Sequence, residues 1–148
     1  MKNILLVCTI ALLGLVSCSK DEQPIAEKAS YKVEISHTGD VSAFDEFINV
    51  TIFSKNAEQV TLKGSPLNKG EGADGFTTYS VSATAQNRSF ETSNNVDAVL
   101  VSDIFIKSGE GRKISTTITI YKNGSQVAKR NFSYDGTGSN ILNIASDE

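Results

Sequence analysis

The 148-residue chain has no tryptophan, one histidine (His37), two cysteines and two prolines. Each scarcity removes a class of chemistry. A single histidine without free thiols cannot supply the common Cys/His ligand sets of zinc. A serine–histidine–acid triad would have to use His37, and no Gly-x-Ser-x-Gly elbow is present to expose a serine. Basic residues are few: 14 Lys and Arg stand against 17 Asp and Glu, for a formal net charge of −3. That excludes the basic stripe of a nucleic-acid binder. The sequence therefore assigns no metal, no cofactor and no catalytic residue. Long apolar runs are missing too. The longest, residues 4–16, reaches about 20 Å as a helix, short of the roughly 30 Å of a bilayer core.

That short run has a clear use. Lys2 supplies a positive charge ahead of it, and small residues close it, the pattern of a secretory signal. At its end stand Leu15, Val16, Ser17 and Cys18. This tetrad resembles the lipobox of bacterial lipoproteins, in which an aliphatic residue and a small residue precede the cysteine. The resemblance implies that residues 1–17 are removed and that the Cys18 thiol takes a diacylglyceryl group. The new amine is then acylated, so the chain reaches the membrane through lipid on Cys18. Cys8 falls within the discarded segment, which leaves no free thiol and no disulfide, although the compartment would permit one.

Residues 18–29 read as a polar tether. Ser19, Lys20, Asp21 and Glu22 follow the cysteine directly. A short polar run with acids at this place resembles the export signal of Bacteroidetes surface lipoproteins. It implies that Lys20, Asp21 and Glu22 sort the protein to the outer membrane and display it at the cell surface; the alternative is an outer-membrane lipoprotein facing the periplasm. Pro24 disfavours regular structure in the same stretch.

From residue 30 to the end, one domain is expected, and it reads as strands. Period-two alternation puts Tyr31, Val33, Ile35 and His37 on one face of the first strand. Ile48, Val50 and Ile52 share a face of the second, and a short strand surrounds Val60 and Leu62. Tyr79, Val81 and Ala83 point inward from residues 76–85, and residues 88–92 form a short edge. The stretch 96–107 is continuously apolar around Val99, Leu100 and Val101, which predicts either cover on both sides or a bulge near Ser102 and Asp103. Ile114, Ile118 and Ile120 share a face with Thr116. Asn123-Gly124 predicts a type I′ hairpin to the strand carrying Ala128, Phe132 and Tyr134. Ile141, Leu142 and Ile144 make a last strand. Residues 64–75, with four glycines and a proline, are expected to form a long loop without any strand.

The result is an all-β domain of about seven or eight strands. An immunoglobulin-like Greek-key sandwich is the leading architecture, since the Tyr121–Ser125 hairpin is similar to those of many bacterial immunoglobulin-like modules. A closed antiparallel, lipocalin-like barrel is the alternative. Candidate chemistry within this frame is thin. His37 reads as a core-edge residue. Asp45 with Glu46, Glu71 with Asp74, and Asp103 are the carboxylates that could pair for hydrolysis. Glu71 and Asp74 fall short of the oxygen count that a calcium loop needs. Serine and threonine stripes on residues 76–85 and 113–122 are candidate recognition faces, and Tyr79, Tyr121 and Tyr134 are candidate stacking aromatics. The expectation is a lipid-anchored envelope module that binds a glycan, a protein or an assembly subunit. An inhibitor or accessory subunit working through the 64–75 loop is the alternative, and an enzyme with an unrecognised carboxylate site comes third.

Overall fold

The structure, a computed structural model, describes residues 28–56, 60–73, 75–93, 95–106, 111–135 and 140–147. The expected signal segment, Cys18 and the Lys20–Asp21–Glu22 run lie outside the described residues. The strands are β1 (Tyr31–Gly39), β2 (Asp45–Phe53), β3 (Leu62–Gly64), β4 (Asn68–Ala73), β5 (Phe76–Thr84), β6 (Arg88–Thr92), β7 (Ala98–Ile106), β8 (Ile114–Lys122), β9 (Ser125–Tyr134) and β10 (Asn140–Ala145). A 3-10 turn, Val41–Ala43, links β1 to β2.

They form two antiparallel five-stranded sheets, with strand orders β3-β6-β1-β8-β9 and β10-β7-β2-β5-β4. Both sheets keep open edges, so the fold is a sandwich and not a closed barrel. Among the described strands, two connections are hairpins, β4–β5 and β8–β9, and every other one crosses between the sheets. At the β8–β9 turn Asn123 and Gly124 both take positive φ, 49° and 83°, as the Asn-Gly pair predicts.

The period-two faces are where the alternation puts them. Tyr31, Val33 and Ile35 from β1, Ile48, Val50 and Ile52 from β2, Val99 and Val101 from β7, and Ile118 and Ile120 from β8 build the main apolar core between the sheets. A second, smaller cluster of Phe44, Ala85, Phe105, Ile114 and Tyr134 closes one end. Gly39 ends β1 with φ +95°, and a Cβ there would stand 2.5 Å from the Lys113 carbonyl oxygen, so no other residue fits.

Two expectations are corrected. The 64–75 segment is not strand-free, because β4 occupies half of it and pairs with β5 as a sheet edge. Its glycines permit this pairing. A Cβ at Gly70 would come 2.7 Å from Thr78 Oγ1, and one at Gly72 would come 2.8 Å from the Phe76 carbonyl oxygen. The same residues allow the register shift between Lys69 and Gly72. The second correction concerns β6, expected as an edge: it lies between β3 and β1 and pairs with both. Of the two readings offered for β7, the structure takes cover on both sides, since β7 keeps regular register with both neighbours through Ser102 and Asp103 and has no bulge. Leu100 is half-buried on its outer face, so the apolar run reflects partial cover on both sides.

Candidate functional site

A polar layer lies inside the sandwich, between the two apolar clusters. It is built by single substitutions in the inward alternation of four strands. On β1 His37 follows Ile35; entering β2, Glu46 sits between Phe44 and Ile48; on β7 Asp103 sits between Val101 and Phe105; on β8 Thr116 sits between Ile114 and Ile118. His37 and Thr116 are direct cross-strand partners in one sheet. In the other sheet Asp103 faces Ile48, and Glu46 faces Phe105, which sets the two carboxylates diagonally on neighbouring strands. Arg88, the first residue of β6, pairs with Ile35 and reaches in from beside β1.

The groups converge across the sheet interface. His37 Nε2 and Glu46 Oε1 share a 2.9 Å hydrogen bond, and His37 Nδ1 shares another of 2.9 Å with Thr116 Oγ1. Arg88 Nε–H donates to Glu46 Oε2 at 3.4 Å. The side chains of His37 and Glu46 are 0% and 1% exposed, and Asp103 as a residue is 0% exposed. Phe105 packs edge-on against the His37 ring, 5.6 Å between centroids. Asp103 takes no hydrogen bond from a nitrogen or hydroxyl among the described residues; its carboxyl lies against that of Glu46. Burial, and then the neighbouring Glu46 carboxylate, push its carboxyl up to about 8 against the partial relief of Arg88. Among the described residues, the one group of three His, Asp or Glu side chains able to share an ion is His37, Glu46 and Asp103, whose ligand atoms lie within 4.8 Å of one another.

The sequence names most of these residues without assembling them. His37 is buried at the core edge, as its register implies. Asp103 joins Glu46, whereas Asp45 is exposed on the opposite face of β2. Asp74 lies outside the described residues. Arg88 has no sequence signal beyond its place at the start of a short strand. The inward period of β2 and β7 is the signal that could have found Glu46 and Asp103. The surface candidates divide differently. Tyr79 and Tyr134 are buried, and the Tyr79 hydroxyl donates to the Val60 carbonyl oxygen at 3.1 Å. Tyr121 lies on the outer face, where its hydroxyl donates to Glu34 and Lys32 sits over its ring. Lys32 in turn holds the Glu34 carboxyl below the usual carboxylate range. On the outer face of β8 the Ser115 and Thr117 hydroxyls are engaged with β9, Ser115 with Ser133 and Thr117 with Asn131.

The sandwich also has a direction. The chain joins it at Ala29, which bridges to Val96, and then runs up β1. Nine residues of strand carry it about 27 Å to the opposite end. There the strand ends that lead into the β1–β2, β5–β6, β7–β8 and β9–β10 connections lie together, because Gly39 pairs with Ile114, Asp45 with both Thr84 and Ile106, and Ile114 with Tyr134. Exposed carboxylates at this far end include Asp45 and Asp40. Asp40 Oδ2 accepts the Lys113 N–H at 3.1 Å, and Asp40 Oδ1 lies 3.7 Å from Arg112. The polar layer lies just beneath.

A family model described as PLAT/LH2 and C2-like Ca2+-binding lipoprotein matches residues 1–143. Three solved structures are similar in fold. A DUF4425 domain of unknown function from Bacteroides vulgatus ATCC 8482 is 17% identical, with 82% of this chain and 97% of that chain covered and a TM-score of 0.64. A DUF4425 family protein from Bacteroides ovatus ATCC 8483 is 15% identical, covering 82% and 98%, with a TM-score of 0.64. The third is the calcium-bound form of a protein from Parabacteroides distasonis, 18% identical over 85% of this chain and 98% of that one, with a TM-score of 0.58. No curated protein matches the chain.

Proposed function

Because the chain belongs to the family of PLAT/LH2 and C2-like Ca2+-binding lipoproteins, we propose that it is a lipid-anchored envelope module whose far end binds a ligand with the help of Ca2+. Lipid on Cys18 holds the start of the body at the membrane, and Lys20, Asp21 and Glu22 send it to the outer face of the outer membrane. The observation that carries the reading is the direction of β1: it takes the chain away from the anchored end to the end where the strands leading into four connections lie together. Calcium needs six to eight oxygen ligands, which loop carboxylates and carbonyls supply and a dry interior does not. Asp40 and Asp45 are the carboxylates this reading places nearest the ion.

The reading is of a binder and not a catalyst. The two carboxylates that the fold pairs, Glu46 and Asp103, are closed to solvent, and a substrate cannot reach them. The ligand is a glycan, a neighbouring protein or a subunit of an envelope assembly. Fractionation and protease treatment of intact cells test the reading. The wild type should partition into detergent and lose its body to external protease, and Cys18→Ala should no longer partition. Replacing Lys20, Asp21 and Glu22 with Ala should protect the body. Wild-type protein that is soluble, or resistant on intact cells and cleaved on lysed ones, contradicts the anchor or the display respectively.

A further inference from the structure

We propose that His37, Glu46 and Asp103 form a buried site for one divalent transition-metal ion, with zinc the best fit, that ties the two sheets together beneath the far-end connections. Three observations carry it. The ligand atoms come from both sheets, β1 on one side and β2 and β7 on the other, and converge within 4.8 Å. Asp103 is fully buried, points into this group and, among the described residues, takes no hydrogen bond from a nitrogen or hydroxyl, its carboxyl lying against that of Glu46. Two carboxyls buried side by side need a proton or a cation between them, and with an imidazole nitrogen as third ligand a metal ion can take the proton's place.

The third observation is the support around the ligands. A metal-binding imidazole usually hands its other nitrogen to a neighbouring oxygen, which fixes ring and tautomer. Here His37 Nδ1 is held by Thr116 Oγ1 at 2.9 Å. With Nδ1–H donating to Thr116, the Nε2 lone pair faces Glu46 and Asp103. Arg88 holds Glu46 by Oε2 and leaves Oε1 toward the ion. The donor set selects the metal. One imidazole nitrogen and two carboxylates suit zinc at about 2.0–2.2 Å, with ligand atoms roughly 3.3–3.6 Å apart. The 2.9 Å separation of His37 Nε2 and Glu46 Oε1 opens slightly to admit the ion, while the wider separations close. Calcium is disfavoured, because nitrogen is a poor ligand for it and the set is short of six oxygens. The site is thus separate from the calcium reading of the far end. Counting only histidines and thiols in the sequence misses it, since two of its three ligands are carboxylates.

The test uses the lipoprotein purified in detergent and stripped with chelator. His37 is the only histidine, so its ring 15N signals need no assignment. Zinc should bind at one equivalent, raise the melting temperature and move the Nε2 signal to that of a metal-bound nitrogen. Asp103→Asn and His37→Gln should each weaken zinc binding by at least about tenfold and leave any calcium response unchanged. Three results overturn the proposal: no zinc uptake by folded wild-type protein, zinc uptake with an unmoved His37 signal, or calcium moving that signal where zinc does not. Should either variant fail to fold, the wild-type His37 signal decides alone. Loss of the calcium response with the zinc result intact would count against the proposed function and not against this site.

Discussion

Asp103→Asn, in chelator and so without any ion in the polar layer, is expected to make the protein more stable at neutral pH. Every described strand lies after Lys28, so a chain starting there keeps the whole core and suits the measurement. The Asp103 carboxyl is raised from 3.8 to about 8, first by burial and then by Glu46. Between those two pH values the unfolded chain has released a proton that the folded chain still holds. The folded state is therefore penalised by about 1.4 kcal/mol for each pH unit. The stability tied to this group is whole below pH ~4, drains away as the pH rises to about 8, and is flat above that. At pH 7 the accumulated cost is about 4 kcal/mol. The titration belongs to the Glu46–Asp103 pair, and the amide must itself be desolvated. A gain of about 2–4 kcal/mol is therefore expected for the variant, or roughly 10 °C in melting temperature. Urea unfolding followed by far-UV circular dichroism from pH 5 to 8.5 reads it out. Wild-type stability should fall across this range more steeply than that of the variant. A variant less stable than wild type at pH 7.5, or one with the same pH slope, would refute the reasoning.

Arg88→Met removes the one cationic side chain on Glu46 Oε2 and leaves a buried carboxylate with His37 alone, so urea unfolding should show a loss of about 3–5 kcal/mol. Phe105→Ala should cost a similar 3–5 kcal/mol, because Phe105 is fully buried and packs against His37, Phe44, Phe132 and Tyr134. Val50→Asp and Ile118→Asp should each abolish the cooperative thermal transition, since both positions are 0% exposed in the main core. Thr117→Asp, one residue from Ile118 on the outer face, loses its hydrogen bond to Asn131 and should change stability by no more than about 1 kcal/mol.

The strands were legible because period-two alternation is a local property. Ile48, Val50 and Ile52 declare a face without any knowledge of what covers it. The β8–β9 hairpin was legible because Asn123 and Gly124 accept positive φ. Strand order was not, because nearly every other connection crosses between sheets, and no residue near Ser54 or Ser93 encodes where the chain lands. The β4 edge was lost because glycine is read as a breaker, whereas at Gly70 and Gly72 it makes room for Thr78 and the Phe76 carbonyl oxygen. The polar layer was half visible. His37 and Thr116 can be placed on inward faces, but the sequence pairs Glu46 with its neighbour Asp45 and leaves Asp103 alone. Joining all four needs the β1–β8 and β2–β7 pairings and the stacking of the two sheets, which only the fold supplies.

Calcium titrated into 15N-labelled protein, followed through every backbone amide, tests the proposed function most directly. The proposal predicts saturable shifts concentrated at the far end, among Asp40 to Asp45, Ala85 to Asn87, Gly111 to Lys113 and Asp135, with the amides around Ala29, Val96 and Asn123 unmoved. Shifts centred on the anchored end, or no shifts up to millimolar calcium, would contradict it.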